Sequence, residues 1–190
     1  VELADPGYDF EKCFRSYIDK FPIDVHTTES IRGSQAAELL TRCMVEIGTS
    51  SYYTAVKEAT NEPLLKHICA KIAADELRHY KLFYKHFQRY QAIEKLTFFQ
   101  RFRIALGRLL ENNGDELATA YYTANAETAP YNRKYYTKLY GKVVYNYYKK
   151  DHIRKAVAMF CKVIGVSAQG WFHKLLSFIA FKVFAFKASG

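Results

Sequence analysis

Proline is scarce through the middle of this chain: between Pro22 and Pro130 only Pro63 occurs. A proline inside a helix removes one backbone hydrogen bond and clashes with the preceding turn, so long stretches without it leave room for long helices. Few windows alternate apolar and polar residues over more than a handful of positions, which disfavours strands. The expectation is an all-α chain. Pro63, coming directly after Asn61-Glu62, is well placed in the first turn of a helix and marks a hairpin between two long ones.

A first helix can start after Asp9 and run to about Lys20, where Phe21-Pro22 ends it; a polar linker through Thr28 follows, so residues 1–28 read as an N-terminal extension. Residues 29–164 read as a bundle of four helical stretches. Helix A runs from about Glu29 to Ala59 and helix B from about Pro63 to Gln91. Helix C runs from about Lys95 to Glu127, broken at Asn112-Asn113-Gly114 with Asp115 as a cap. After a turn from Thr128 to Asn132, helix D continues to about Ile164. Residues 165–190 form an additional C-terminal amphipathic helix, with Trp171, Phe172, Leu175, Phe178, Ile179, Phe184 and Phe186 edged by Lys174, Lys182 and Lys187.

At 190 residues one core of ordinary size is expected, and 16 Tyr with 14 Phe make it an aromatic one. The net charge of +9 is spread along the chain, which suits a solvated basic surface better than a specific anionic partner. Cys13, Cys43, Cys69 and Cys161 form no CxxC pair, so they read as small buried hydrophobes in a reduced, cytoplasmic setting. No apolar run is long enough to span a bilayer, and no signal-peptide order is visible at the N-terminus. Gly-x-Ser-x-Gly and phosphate-cradling loops are absent.

The chemistry centres on Ala73-Ala74-Asp75-Glu76-Leu77-Arg78-His79. Glu76 and His79, three apart on helix B, leave the same face and can reach one metal ion; a carboxylate and an imidazole at this spacing are a repeated unit of bundle di-metal sites. With the turn near Asn61, Glu46 lies as many residues before it as Glu76 lies after it. At a common rise of about 1.5 Å per residue the two carboxylates reach the same height. Glu38 lies too far from the turn to match, and Glu58 too close. The neighbours Met44, Val45, Ile47, Ile72, Ala73 and Leu77 offer a charged group little except a metal, and a buried unpaired carboxylate is costly.

These residues carry a resemblance. The stretch LLKHICAKIAADELRHY, Leu64 to Tyr80, resembles the helix of soluble acyl-carrier-protein desaturases that bears an IAADE-x-RH motif, and Glu46 sits where their preceding helix supplies a bridging glutamate. More distantly, it is similar to rubrerythrins. The resemblance covers Glu46 to Phe87 and implies a ferritin-like four-helix bundle, two iron ions (or manganese) and O2-dependent chemistry at Glu46, Glu76 and His79.

The family pattern has a further glutamate on helix C and a second ExxH on helix D. Here the helix D histidine, His152, has Lys149 three residues before it. If the turn centres near Asn132, Glu116 faces His152 and Tyr148 takes the missing carboxylate's place; a shorter turn pairs Glu111 with His152 instead. Tyr148 and Tyr53, the latter two turns after Glu46, are candidate catalytic residues or simply core aromatics.

The resulting expectation is a di-iron oxidoreductase that activates O2 and acts, like a desaturase or hydroxylase, on an apolar or carrier-bound substrate with an unidentified electron donor. The alternatives are rubrerythrin-like peroxide scavenging or iron handling, and a non-enzymatic helical protein. The C-terminal helix would then meet a membrane surface, a second subunit of a homodimer, or the bundle itself. No interleaved basic and aromatic segment points to nucleic acid.

Overall fold

A computed structural model describes residues 7–22, 30–111, 115–125 and 129–189. They form eight α-helices and no strand: α1 (Phe10–Lys20), α2 (Gln35–Ala59), α3 (Pro63–Glu94), α4 (Phe98–Glu111), α5 (Asp115–Asn125), α6 (Arg133–Asn146), α7 (Lys150–Ile164) and α8 (Trp171–Ser189). The chain is an all-α bundle. The expected linker through Thr28, the break at residues 112–114 and the residues around Glu127 and Thr128 lie outside the described residues.

Local chemistry sets the ends of the hairpin. Ser34 Oγ accepts the Ala37 N–H at 3.1 Å and follows Gly33 at φ 74°, so α2 starts at Gln35 rather than near Glu29. At the far end Thr60 turns extended, and the Glu62 carboxylate accepts the N–H groups of Leu64 and Leu65 at 3.0 and 2.5 Å, one residue before Pro63 enters α3. The hairpin is closed at its open end too. Both carboxylate oxygens of Glu94, the last residue of α3, accept the Ala36 N–H at 3.1 and 3.2 Å and so cap the start of α2.

Helix α2 is the centre of the bundle and packs on α3, α4 and α7. Leu40, Cys43, Met44 and Ile47 meet Tyr80 and Phe87 of α3, Ala105 of α4 and Phe160, Val163 and Ile164 of α7. Leu40 and Ile164 are fully buried, each contributing about 1.5–3 kcal/mol of transfer free energy. The aromatic share of the core is visible in Phe102 against Phe160, edge to face at 6.3 Å. Cys43, Cys69 and Cys161 are buried and Cys13 half-buried, all as free thiols.

The expected helix D is two helices. Lys149 is extended (φ −93°, ψ 162°), and its N–H donates to the His152 imidazole Nδ1 at 3.1 Å. Just before it, Tyr147 and Tyr148 donate to Val144 and Tyr145 in a tightened last turn of α6. A side chain reaching back from the third position of α7 thus restarts the helix, which no periodicity reveals.

Helix α8 packs on α6 and α7. Phe172 and Leu176 reach the core, and Phe184 meets Tyr145 and Tyr148 at 4.7 and 4.9 Å. Its outer side exposes Trp171 (74 %), Phe178 (60 %) and Phe186 (79 %). Among the described residues no helix is long and apolar enough to cross a membrane. Helix α1 packs on α5, where Lys20 Nζ donates to Thr119 Oγ1 at 2.7 Å.

Candidate metal centre

The hairpin register brings Glu46 of α2 beside Glu76 and His79 of α3. The potential ligand atoms of these three side chains all lie within 4.8 Å of one another. His79 Nδ1 is 3.3 Å from Glu76 Oε2 and 3.8 Å from Glu46 Oε2. Among the described residues no lysine or arginine forms an ion pair with either carboxylate.

Glu46 is buried, and its Oε2 is sealed from solvent without a hydrogen-bond partner. Leaving a carboxylate oxygen in that state costs on the order of 1–3 kcal/mol, which a cation would offset. Burial pushes the Glu46 carboxyl up to about 7; the hydrogen bond and charge of Glu76 add to this, while His79 and Arg42 pull the other way. Glu76 is held below the usual carboxylate range by its hydrogen bond with Glu46, helped by His79 and Thr49 and opposed by its own partial burial. Two carboxylates held this close repel one another, and a divalent ion between them would relieve that repulsion.

The donor set fits a metal. Two carboxylates neutralise a divalent ion, and oxygen ligands with one imidazole suit a divalent metal of the first transition row. The His79 side chain is 55 % exposed, so the centre opens to the surface instead of lying sealed in the bundle.

The remaining expected ligands go elsewhere. His152 is buried with its Nε2 3.1 Å from Glu58 Oε2, and since Nδ1 accepts from Lys149, Nε2 carries the proton and donates. Glu58 also takes the Lys149 Nζ at 3.1 Å. Glu116 is exposed on α5, where its charge raises Tyr17 of α1 after burial has done so more strongly. Glu111 pairs with Arg32. The structure brings Glu46, Glu76 and His79 together and does not bring Glu116 or His152 to them.

The two candidate tyrosines make ring contacts of their own. Tyr148 lies edge-on to His152 at 6.2 Å, its phenol pushed up chiefly by burial, and Tyr53 lies edge-on to Tyr52 at 5.2 Å. What sequence reasoning missed is Glu58, set aside as too close to the turn to reach the centre; it is the residue that anchors the start of α7. A small cleft of about 120 Å³ separates α2, α3 and α7, lined by Ile47, Ser50, Ala73, Leu77, His152 and Met159.

Comparison with protein-family models, with curated proteins and with solved structures gives no match to this chain.

Proposed function

We propose that the chain is a ferritin-like protein in which Glu46, Glu76 and His79 hold a redox-active ion, iron or manganese, for oxidoreductase chemistry with O2 or peroxide. The observation that carries this reading is the buried, partnerless Glu46 Oε2 beside a second carboxylate and an imidazole. When bound, such an ion supplies electron transfer to the oxidant and electrostatic stabilisation of developing negative charge. The protein's own part is to hold two carboxylates side by side, with His79 orienting Glu76 through their 3.3 Å contact.

Two tasks fit this centre. The IAADE-x-RH resemblance favours a desaturase- or hydroxylase-like reaction on an apolar or carrier-bound substrate. The exposure of His79 favours peroxide consumption or iron handling, since small oxidants and donors reach it directly. Protein loaded with ferrous iron and offered peroxide, or O2 with an acyl carrier, separates them: rapid peroxide loss without carrier oxidation selects the second. Metal content of the purified protein tests the centre itself. Wild type should hold iron or manganese and Glu76→Ala should lose it; equal, substoichiometric metal in both would end the reading.

A second reading concerns placement and is favoured by α8. Trp171, Phe178 and Phe186 face out beside Lys174, Lys182 and Lys187, an apolar face edged with cations that suits an anionic lipid surface.

A further inference from the structure

The start of α7 hangs on a titratable ring. His152 is 3 % exposed, its Nδ1 accepts the Lys149 N–H at 3.1 Å, and its Nε2 donates to Glu58 at 3.1 Å. A side chain at the third helical position that reaches back to the first N–H is one half of a capping box, where glutamine or glutamate ordinarily stands. Glutamine accepts there at any pH. An imidazole accepts only while it is neutral, because a protonated ring carries N–H on both nitrogens. Histidine is the side chain whose charge changes between about pH 5 and 8.

The groups around the ring do not replace that bond once it is lost. Glu58 of α2 attracts a charged ring, but the neutral ring already donates to it, and Lys149 Nζ shares the same oxygen at 3.1 Å. Lys155 lines the cleft beside the ring and opposes a second positive charge there. Asp151 faces Arg154 at 4.0 Å, and Lys150 lies over the Phe181 ring of α8. Ala73 and Leu77 of α3, which also line the cleft, do not titrate, and Tyr148 lies edge-on to the imidazole. A proton on Nδ1 therefore sets one N–H against another in a closed site, and the contact has to open.

The far half of α8 rests on this start. His152 begins α7 directly after the tight turn in which Tyr147 and Tyr148 donate to Val144 and Tyr145. Phe184 packs on two tyrosines of that turn, 4.7 Å from Tyr145 and 4.9 Å from Tyr148, and Lys187 Nζ donates to the Tyr145 hydroxyl at 3.3 Å. The near half of α8 is anchored elsewhere. Phe172 and Leu176 reach the core, and His173 Nε2 donates to the Arg154 carbonyl at 3.0 Å, a bond that a protonated ring keeps.

We propose that His152 is an acid-sensitive clasp: taking a proton from solvent on Nδ1, it releases the Lys149 N–H, opens the first turn of α7 and frees the Phe184 end of α8 while the Phe172 end stays docked. The proposal does not depend on the metal reading, since His152 is not among the three ligands.

The test is native-state hydrogen exchange, followed by nuclear magnetic resonance, on wild type, His152→Gln and His173→Gln at about pH 7.5 and pH 5. Rates are expressed as protection factors, so that the intrinsic pH dependence of exchange cancels. In wild type, protection at Lys149, Ile153 and Phe184 should fall about tenfold on acidification, as loss of a helix cap implies, and protection at Leu176 should hold. His152→Gln keeps an acceptor that does not titrate and should stay protected at both pH values; His173→Gln should behave as wild type does. Equal protection of wild type at both pH values overturns the proposal, as does an equal loss in His152→Gln or its disappearance in His173→Gln. A loss at Lys149 with Phe184 unchanged overturns the link to α8. The ring nitrogen shifts of His152 in wild type decide the matter even if the glutamine variant does not fold: a doubly protonated ring beside a Lys149 amide that is still protected overturns the clasp.

Discussion

His152 Nε2 donates to Glu58 Oε2 at 3.1 Å, while Nδ1 of the same ring accepts the Lys149 N–H; the imidazole is fully engaged in starting α7 and holding it to the end of α2. His152→Ala should therefore leave metal content unchanged and lower stability by about 2 kcal/mol, through an uncapped helix start and an emptied buried site. Glu76→Ala should do the reverse, removing metal at little cost to the metal-free fold. Metal analysis beside urea unfolding of both variants checks the pair of outcomes, and metal loss in the His152 variant would show that it ligates after all.

The Glu46 carboxyl sets a pH dependence in metal-free protein. Its folded value of about 7 lies above the ordinary 4.5, so the folded state binds this proton more tightly than the unfolded chain does. Stability linked to Glu46 is full below about pH 4.5, declines as pH rises toward 7, and is flat beyond. Glu76, shifted down, acts with opposite sign and only below the ordinary carboxylate range. Urea midpoints between pH 5 and 8 should fall in wild type and flatten in Glu46→Gln.

Gly165 ends α7 at φ 84°, and a Cβ there would run into the Arg101 guanidinium. Gly165→Ala should cost roughly 1 kcal/mol from the left-handed backbone alone, lowering the thermal midpoint by a few degrees. An unchanged midpoint in scanning calorimetry would mean that the Arg101 side chain and the turn both relax freely.

For the outer face of α8, sedimentation with vesicles containing phosphatidylserine should pull down wild type and not a Phe178→Glu, Phe186→Glu double variant. Both positions are exposed, so the bundle itself should be untouched. Binding should weaken as salt rises, because Lys174, Lys182 and Lys187 supply part of it. Equal sedimentation of the two proteins would exclude this face as the lipid contact.

The hairpin was legible in the sequence because its geometry is local. Pro63 and the Asn61-Glu62 turn fix the register, and one rise per residue carries Glu46 to the level of Glu76 and His79. The α1 cap at Asp9 was legible for the same reason: its carboxylate accepts the Lys12 N–H at 2.9 Å, three residues on. Positions that depend on where a later helix restarts were not. Placing His152 opposite Glu116 assumed one continuous helix D, and the turn at Tyr147–Lys149 that splits it is made by the His152 side chain itself, a tertiary choice stabilised by Glu58 from 94 residues earlier. Asp115, expected to cap a continuation of helix C, stands in the first turn of α5, where it takes the Tyr131 hydroxyl at 2.6 Å and ties α5 to the approach of α6.

Glu94 gives the hairpin a latch at the end opposite its turn. Sliding α3 along α2 by one helical turn, about 5.4 Å, would break that latch and strain the short Thr60–Glu62 turn that joins the two helices. The spacing of Glu46, Glu76 and His79 is therefore held from both ends of the hairpin. Native-state hydrogen exchange should find these amides opening as one unit, later than those of α1, α5 or the outer turns of α8, so that fraying at the periphery leaves the ligand geometry intact.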